Sequence, residues 1–245
     1  MPKEVPAVTP VPRSAESPIG QMFSRIAPTY DFLNHLLSLG RDTPWRRKAA
    51  RQLPQDRNLK IIDLATGTGD MLICLLRERP SIAEAVGVDV SAEMLDACRL
   101  KLRKGGLESR VELTRADASG TAFPADTFDA ATMAFGIRNT ADVSATLREI
   151  HRILKPGGLA MILEFSLPAC PVMRWFYLWY LRLVVPFVGS LVSGDRRAYR
   201  YLDQSIEGFQ QPQEFCDLMQ KAGFTDVSAT PLTWGVASIY RGVKA

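Results

Sequence analysis

The run Ile61-Ile62-Asp63-Leu64-Ala65-Thr66-Gly67-Thr68-Gly69-Asp70 constrains the fold of this chain more than any other ten residues. A short apolar strand runs straight into a glycine turn, and an amphipathic segment, Met71 to Arg79, follows. Strand, glycine loop and helix make the first crossover of a nucleotide-type α/β sheet. Gly67 and Gly69 let the backbone turn sharply and approach a ligand with no Cβ in between.

The identity of that ligand is narrowed by what surrounds the glycines. The dinucleotide fingerprint asks for a third glycine where helix and strand pack closely, and Leu72 stands at that position. The loop carries two acids, Asp63 and Asp70, where a pyrophosphate prefers neutral or positive neighbours. An acidic loop suits a cation, and S-adenosylmethionine is such a ligand, with a sulfonium, an ammonium and a carboxylate but no phosphate. Asp63 also has a purely structural reading, as a loop cap that accepts backbone N–H bonds, and the two roles are compatible.

The rest of the chain repeats the alternation. Residues 1–18 hold five prolines and read as a disordered or loosely docked tail. Residues 19–245 read as one domain. Its first part, 19–53, is a helical cap in which Met22, Phe23, Ile26, Tyr30 and Leu33 recur at helical spacing and Trp45 to Leu53 forms a second piece. Strands are expected at Lys60–Ala65, Ala83–Val90, Arg110–Arg115, Phe128–Ala134 and Leu159–Phe165. Helices are expected at Ala92–Arg103, with Ser91 as N-cap, and at Asp142–Leu154, stopped by Lys155-Pro156-Gly157-Gly158. Alternating strands and helices imply a parallel sheet with right-handed crossovers. From Pro168 to about Tyr201 the pattern breaks into an aromatic insertion (168–201), cut by Arg174, Arg182 and Pro186 in a way that argues against a membrane-spanning helix. A helix at Gln213–Lys221 and two strands in quick succession, Asp226–Thr230 and Gly235–Val243, suggest one antiparallel strand added to the parallel sheet.

Composition excludes several classes. A net charge of +4 with interspersed signs is too mild for a nucleic-acid binder. The four cysteines, Cys74, Cys98, Cys170 and Cys216, form no CxxC pair, and only His35 and His151 are histidines. Neither a metal site nor a disulfide framework is expected, and a reducing cytoplasm fits. The N-terminus carries no apolar signal core.

Ligands of open α/β sheets lie at the carboxyl ends of the strands. Asp89 closes the second strand about twenty residues beyond the glycines, where a carboxylate accepts both ribose hydroxyls; its alternative role is a charge at the following helix N-terminus. Asp117, after the third strand, either accepts an adenine amino group or is a plain turn residue. Phe135-Gly136-Ile137-Arg138-Asn139 follows the fourth strand and puts a polar pair on the same crevice.

Residues 63–70, Asp89, Asp117-Ala118 and Leu154-Lys155-Pro156-Gly157-Gly158 resemble class I S-adenosylmethionine-dependent methyltransferases. More narrowly, the chain is similar to the C-methyltransferases of menaquinone and ubiquinone biosynthesis, the UbiE/MenG type. The narrower likeness rests on Tyr30-Asp31 with Asn34, Ser38, Gly40 and Trp45, on residues 135–139, on Glu164-Phe165-Ser166, and on Tyr199-Arg200-Tyr201-Leu202 with Ser205-Ile206. It covers roughly residues 19–244. It implies a Rossmann-like fold: a mostly parallel seven-stranded sheet with one antiparallel strand and helices on both faces. It also implies a cofactor site at Asp63, Ala65, Gly67, Thr68, Gly69, Asp89, Val90, Met94, Asp117, Ala118 and Ala134. Three departures stand out: Ala134 where the family often has serine, so that one side-chain contact is missing; Arg41-Asp42-Thr43-Pro44 where a histidine is common; and Gln210-Gln211 where proline is frequent.

The resemblance implies methyl transfer to a ring carbon of a reduced prenylated quinone, a demethylmenaquinol or a benzoquinol. A neutral ring carbon is a poor nucleophile until the neighbouring hydroxyl loses its proton, and the enzyme holds donor and carbon about 3–3.5 Å apart while excluding water. Arg138, Asn139 and Tyr201 are the expected catalytic residues. An arginine with a pKa above about 12 keeps its proton, so Arg138 is expected to stabilise the phenolate rather than act as a base; its alternative is a structural ion pair. Tyr30, Asp31, His35, Glu164 and Tyr199 are expected to line the substrate crevice. His35 is a candidate base with a structural alternative, and Glu164 either holds a partner group in the crevice or bridges to an arginine. The insertion has two readings, a packed lid core or a greasy entrance touching the membrane surface, with Arg174 and Arg182 near lipid phosphates. The second places a cytoplasmic protein peripherally at the inner face of the membrane. A homodimer stays open. The rivals are a methyltransferase of the same fold acting on another small molecule or lipid, a non-catalytic cofactor-binding assembly subunit, and, more distantly, a nicotinamide-linked reductase.

Overall fold

The computed structural model describes residues 30–55, 58–187 and 204–245. The tail at 1–18, the start of the cap at 19–29 and the end of the insertion, with Tyr199 and Tyr201, lie outside the described residues. Seven strands form one sheet in the order β3-β2-β1-β4-β5-β7-β6. They are β1 (Leu59–Leu64), β2 (Ile82–Asp89), β3 (Val111–Arg115), β4 (Phe128–Ala134), β5 (Leu154–Phe165), β6 (Phe224–Leu232) and β7 (Ala237–Lys244). Pairing is parallel from β3 through β5, and β7 runs antiparallel to both its neighbours, β5 and β6. The expected single antiparallel strand is therefore β7.

The central strands are apolar on both faces because both faces are covered. Along β1, Leu59 and Ile61 face one core while Ile62 and Leu64 face the other. The first core is closed by helices α2 (Asp42–Ala50), α3 (Asp70–Glu78), α4 (Ala92–Lys104) and α6 (Pro171–Trp179). The second is closed by α5 (Val143–Ile153) and α7 (Pro212–Lys221). Helix α1 (Tyr30–Leu37) precedes α2 in the cap.

Several boundaries differ from expectation for local reasons. Helix α2 starts at Asp42 rather than Trp45, because Pro44 falls in the first turn, where its missing N–H costs nothing. Strand β3 loses Arg110 to a short 3₁₀ turn, Glu108–Arg110. Strand β5 starts at Leu154, which pairs with Phe128, and then turns through Gly157 at φ +75°. The insertion is a helix in its described part, α6 prolonged by a π turn over Tyr180–Val184. It buries Tyr177, Leu181 and Val185 and exposes Val172, Trp175, Phe176, Trp179, Leu183 and Phe187. No helix among the described residues is long and apolar enough to cross a membrane.

The close helix–strand packing that a third loop glycine supplies elsewhere is supplied here from the strand. Leu72 projects from α3 onto Gly87 of β2, where a Cβ would stand 2.8 Å from Leu113 Cδ2 and 3.0 Å from Leu72 Cδ2. Gly87→Ala is expected to destabilise the chain by about 1–3 kcal/mol through overpacking, despite alanine's better strand propensity. Urea denaturation measures it, and an unchanged midpoint refutes the packing argument.

Candidate active site

The carboxyl ends of β1, β2 and β4 converge. Gly67 and Gly69 adopt φ of +56° and +87°, the left-handed region their loop requires. Two non-glycine residues join them there: Ala65 at the end of β1 (φ +48°) and Phe135 at the end of β4 (φ +59°). Such conformations persist only where the surroundings hold them. Here the loops press together: a Cβ on Gly136 would lie 2.8 Å from Ala65 Cβ. The glycine loop and the segment 135–139 thus form one contiguous floor.

Asp89 ties this floor to β2. Its Oδ2 accepts the Gly67 N–H at 2.8 Å and its Oδ1 the Ser91 N–H at 2.9 Å. Ser91 in turn caps α4 by accepting the Met94 N–H. The carboxylate retains capacity for a ligand hydroxyl beside these backbone bonds. Burial pushes the Asp89 carboxyl above its ordinary value, against the backbone N–H bonds. Asp117 closes a turn by accepting the Ser119 N–H and hydroxyl at 2.8 and 2.7 Å, with Ala118 buried beside it. Met94 is buried, and the Val90 carbonyl accepts from Arg115 at 2.8 Å. Ala134 is half-buried at the end of β4.

The acids of the loop are not free. Asp63 caps the loop through hydroxyls rather than backbone N–H groups, accepting from Thr66 at 2.7 Å and Thr132 at 2.5 Å. Thr132 is its register partner on β4. Asp70 pairs with Lys101 of α4. Lys101 also pairs with Asp31 of the cap at 2.6 Å and donates to the Thr68 hydroxyl at 3.1 Å, while that hydroxyl donates to Asp31 at 2.6 Å. The loop is therefore less acidic than its sequence suggests, and Asp31 fastens α1 to the glycine loop instead of simply lining a crevice. Lys101 was not legible beforehand: it lies 31 residues from Asp70 among ordinary basic residues of a helix end.

His35 is committed to Asp42, with Nδ1 3.0 Å from Oδ1. Asp42 is buried and also takes the Ser38 hydroxyl and Arg46. Tyr30 opens helix α1.

Arg138 and Glu164 form a buried pair, their side chains 4% and 0% exposed, with Nη1 2.5 Å from Oε1. The same Nη1 donates to the Phe135 carbonyl at 2.9 Å, which also accepts from Asn139 Nδ2 at 3.2 Å. The guanidinium lies 5.3 Å from the Phe165 ring centroid, and its Nε reaches Ser205 Oγ at 3.4 Å. Nη2 makes no hydrogen bond among the described residues and belongs to a side chain that lines a cavity. Burial raises the Glu164 carboxyl above its ordinary value, and Arg138 and the Phe165 N–H oppose that rise. Glu164 is the carboxylate that Arg138 bridges to, at the end of β4.

The sequence profile of the ubiE/COQ5 methyltransferase family matches residues 12–244. The chain belongs to this family. A demethylmenaquinone methyltransferase of Thermus thermophilus is 46% identical over 221 residues, covering 90% of this chain and 99% of that protein. The ubiquinone/menaquinone biosynthesis C-methyltransferase UbiE of Geobacter sulfurreducens is 43% identical over 92% of this chain and 88% of its own. Among solved structures, the [4+2]-cyclase SpnF superposes with a TM-score of 0.67 at 18% identity, covering 96% of this chain and 98% of its own. A SAM-dependent methyltransferase of Aquifex aeolicus gives 0.59 at 17%, covering 82% and 89%. These two share the fold.

Within this methyltransferase, Asp63 makes stability depend on pH. Burial raises its carboxyl from 3.8 to about 6, against the two threonine hydroxyls and Arg46. The folded chain therefore holds a proton that the unfolded chain releases between those values. That contribution is full below the lower value and lost as pH rises through the upper one, an effect of about 3 kcal/mol. Asp63→Asn cannot ionise. Relative to wild type, its unfolding free energy is expected to gain about 2 kcal/mol between acidic and neutral buffer, since part of the contribution is already lost at pH 4. Denaturation curves at about pH 4 and pH 7.5 measure this, and a difference that stays constant across the window refutes it.

Proposed function

We propose that the protein transfers a methyl group from S-adenosylmethionine to a ring carbon of a prenylated quinol, a demethylmenaquinol or the benzoquinol precursor of ubiquinone. The observation that carries this reading is the buried Arg138 guanidinium. Glu164 and the Phe135 carbonyl fix it, its Nη2 edge is unengaged among the described residues, and Gly136 joins its segment to the glycine loop. The names of the relatives point to the same acceptors.

The residues present fit the cofactor. The glycine loop has no side chain in the way, and Asp89 keeps lone pairs for two ribose hydroxyls. Ala65, Gly67, Thr68, Gly69, Val90, Met94, Asp117, Ala118 and Ala134 would complete its site. When bound, it supplies an electrophilic methyl group on a sulfonium.

The chain's own residues prepare the acceptor. Arg138 donates through Nη2 to the ring oxygen beside the reacting carbon and stabilises the negative charge that develops there. It does not take the proton, since a guanidinium keeps its own. Glu164 aims the guanidinium, and Asn139 secures the Phe135 carbonyl that aims it as well. Tyr201 and Tyr199 complete the acceptor side in this reading, with Tyr30 at the cap. The exposed stripe Val172, Trp175, Phe176, Trp179, Leu183 and Phe187 supports peripheral contact with the membrane in which such a substrate dissolves.

The function is tested with labelled cofactor and reduced quinol analogues, the expected product carrying the label on ring carbon; label on oxygen, or none, refutes it. Arg138→Ala is expected to lower kcat by about 10²–10³-fold with cofactor affinity unchanged. It also strands a buried carboxylate and costs about 3–5 kcal/mol of stability. Adding Glu164→Gln to that variant is expected to restore much of the stability and none of the activity, whereas Arg138→Lys keeps part of the rate. Wild-type turnover by the folded double variant removes Arg138 from the mechanism.

Membrane contact is tested separately. Trp175→Ser with Trp179→Ser is expected to lower cosedimentation with anionic vesicles severalfold while leaving turnover of a soluble quinol analogue intact. Equal cosedimentation of wild type and variant refutes it.

A further inference from the structure

The turn between β6 and β7 is built against its own sequence. Thr233, Trp234 and Gly235 take φ of +43°, +58° and +90° in succession. Glycine is at ease there, but a β-branched residue and then a bulky one are outliers that persist only where the surroundings hold them. Three hydrogen bonds do so here. Trp45 Nε1 donates to Thr233 Oγ1 at 2.9 Å, the Ser166 hydroxyl donates to the Gly235 carbonyl at 2.8 Å, and the Ser166 N–H donates to the Val236 carbonyl at 2.9 Å. What this bracing presents is an indole 76% exposed, more than any other large apolar side chain among the described residues. Glycine at 234 would serve the fold at less cost, so the indole calls for another reason.

The place of the turn supplies one. It lies at the root of the insertion: a Cβ on Gly235 would stand 3.3 Å from Pro168 Cα, and α6 starts at Pro171 with Val172, Trp175, Phe176 and Trp179 exposed along it. It also lies at the reacting end of the sheet. Strand β7 leaves the turn and pairs Ser238 with Glu164, the carboxylate that holds Arg138. Trp45, which braces Thr233, packs on Phe135 and Phe165 with ring centroids 6.4 and 6.3 Å away. The charge on this face has one sign. From Pro168 to Phe187 the sequence carries Arg174 and Arg182 and no acid, and residues 233–236 carry no charge. Indoles beside arginines suit the headgroup layer of an anionic membrane. An isologous second copy would set the same arginines against each other with no acid from these segments between them.

We propose that Trp234 is a second membrane anchor, fixed by the β6–β7 turn, which with the α6 stripe makes a two-point contact that turns the reacting end of the sheet toward the bilayer. This rests on the membrane contact proposed above and adds an orientation to it. One helix lying on a surface leaves the chain free to roll about that helix. A wedge from a separate, braced turn stops the roll.

The probe is a vesicle of phosphatidylcholine and phosphatidylglycerol, made with or without brominated acyl chains. The full chain carrying Trp175→Phe and Trp179→Phe keeps two indoles, the buried Trp45 and Trp234. Its emission is expected to move to shorter wavelength on vesicles and to be quenched by the brominated lipid; adding Trp234→Gly is expected to abolish both changes. In the otherwise unaltered chain, Trp234→Gly is expected to lower cosedimentation severalfold, with a melting temperature at or above that of wild type, since glycine takes this backbone without strain. Turnover of a soluble quinol analogue stays unchanged. Emission that is neither shifted nor quenched while the protein sediments with vesicles overturns the proposal and leaves α6 as the contact. Failure of wild type to sediment with vesicles removes the membrane reading as well. A wild-type dimer that Trp234→Gly converts to monomer, with vesicle binding unchanged, assigns the indole to a second copy and overturns the proposal too.

Discussion

The site depends on how closely two strand ends approach. Strands β1 and β4 are neighbours in the sheet, and each leaves it through a left-handed residue, Ala65 and Phe135. The space between the loops admits only a hydrogen at residue 136. That contact makes one surface of two segments that are separated by some seventy residues of chain. Asp89 adds β2 to it through the Gly67 N–H, and Glu164 adds β5 through Arg138. Four parallel strand ends are thus locked in one layer by a methyl contact, a backbone hydrogen bond and an ion pair.

Ionisable groups crowd the interior around this layer. Asp42 with Arg46, Asp89 with two backbone N–H groups, Asp63 with two threonines, and Arg138 with Glu164 are each at most about a tenth exposed. Buried charge contributes little net stability when paired and is expensive when stranded. The arrangement is therefore better understood as placement than as stabilisation. It holds polar atoms in fixed directions where apolar packing would hold only volumes. Asp63, Asp89 and Glu164 share one consequence: in each, burial outweighs the partners and holds the carboxyl above its ordinary value.

Much of this was legible in the sequence because it is local. The strand-loop-helix run at 61–79 and the β4 strand appear where periodicity and turn residues put them, since backbone and pattern agree there. The pairing of the last two strands followed from their short separation. What escaped was contact between distant segments. Nothing near Leu72 says that Gly87 makes room for it, and nothing near Asp70 or Asp31 says that Lys101 neutralises them. Glu164 was visible as a strand-end acid, but its pairing with Arg138, 26 residues away in the chain, needed the third dimension. The aromatic insertion was ambiguous because its helix is apolar on both sides; only burial separates the packed face from the open one.

Helix α1 is fastened to the glycine loop by Asp31, which grips Thr68 and Lys101 together. The fastening is partly open to solvent, so dissolved ions weaken it, unlike the sealed pair beneath Phe135. Rising ionic strength therefore loosens the first helix from the glycine loop before it disturbs the guanidinium at the end of β4.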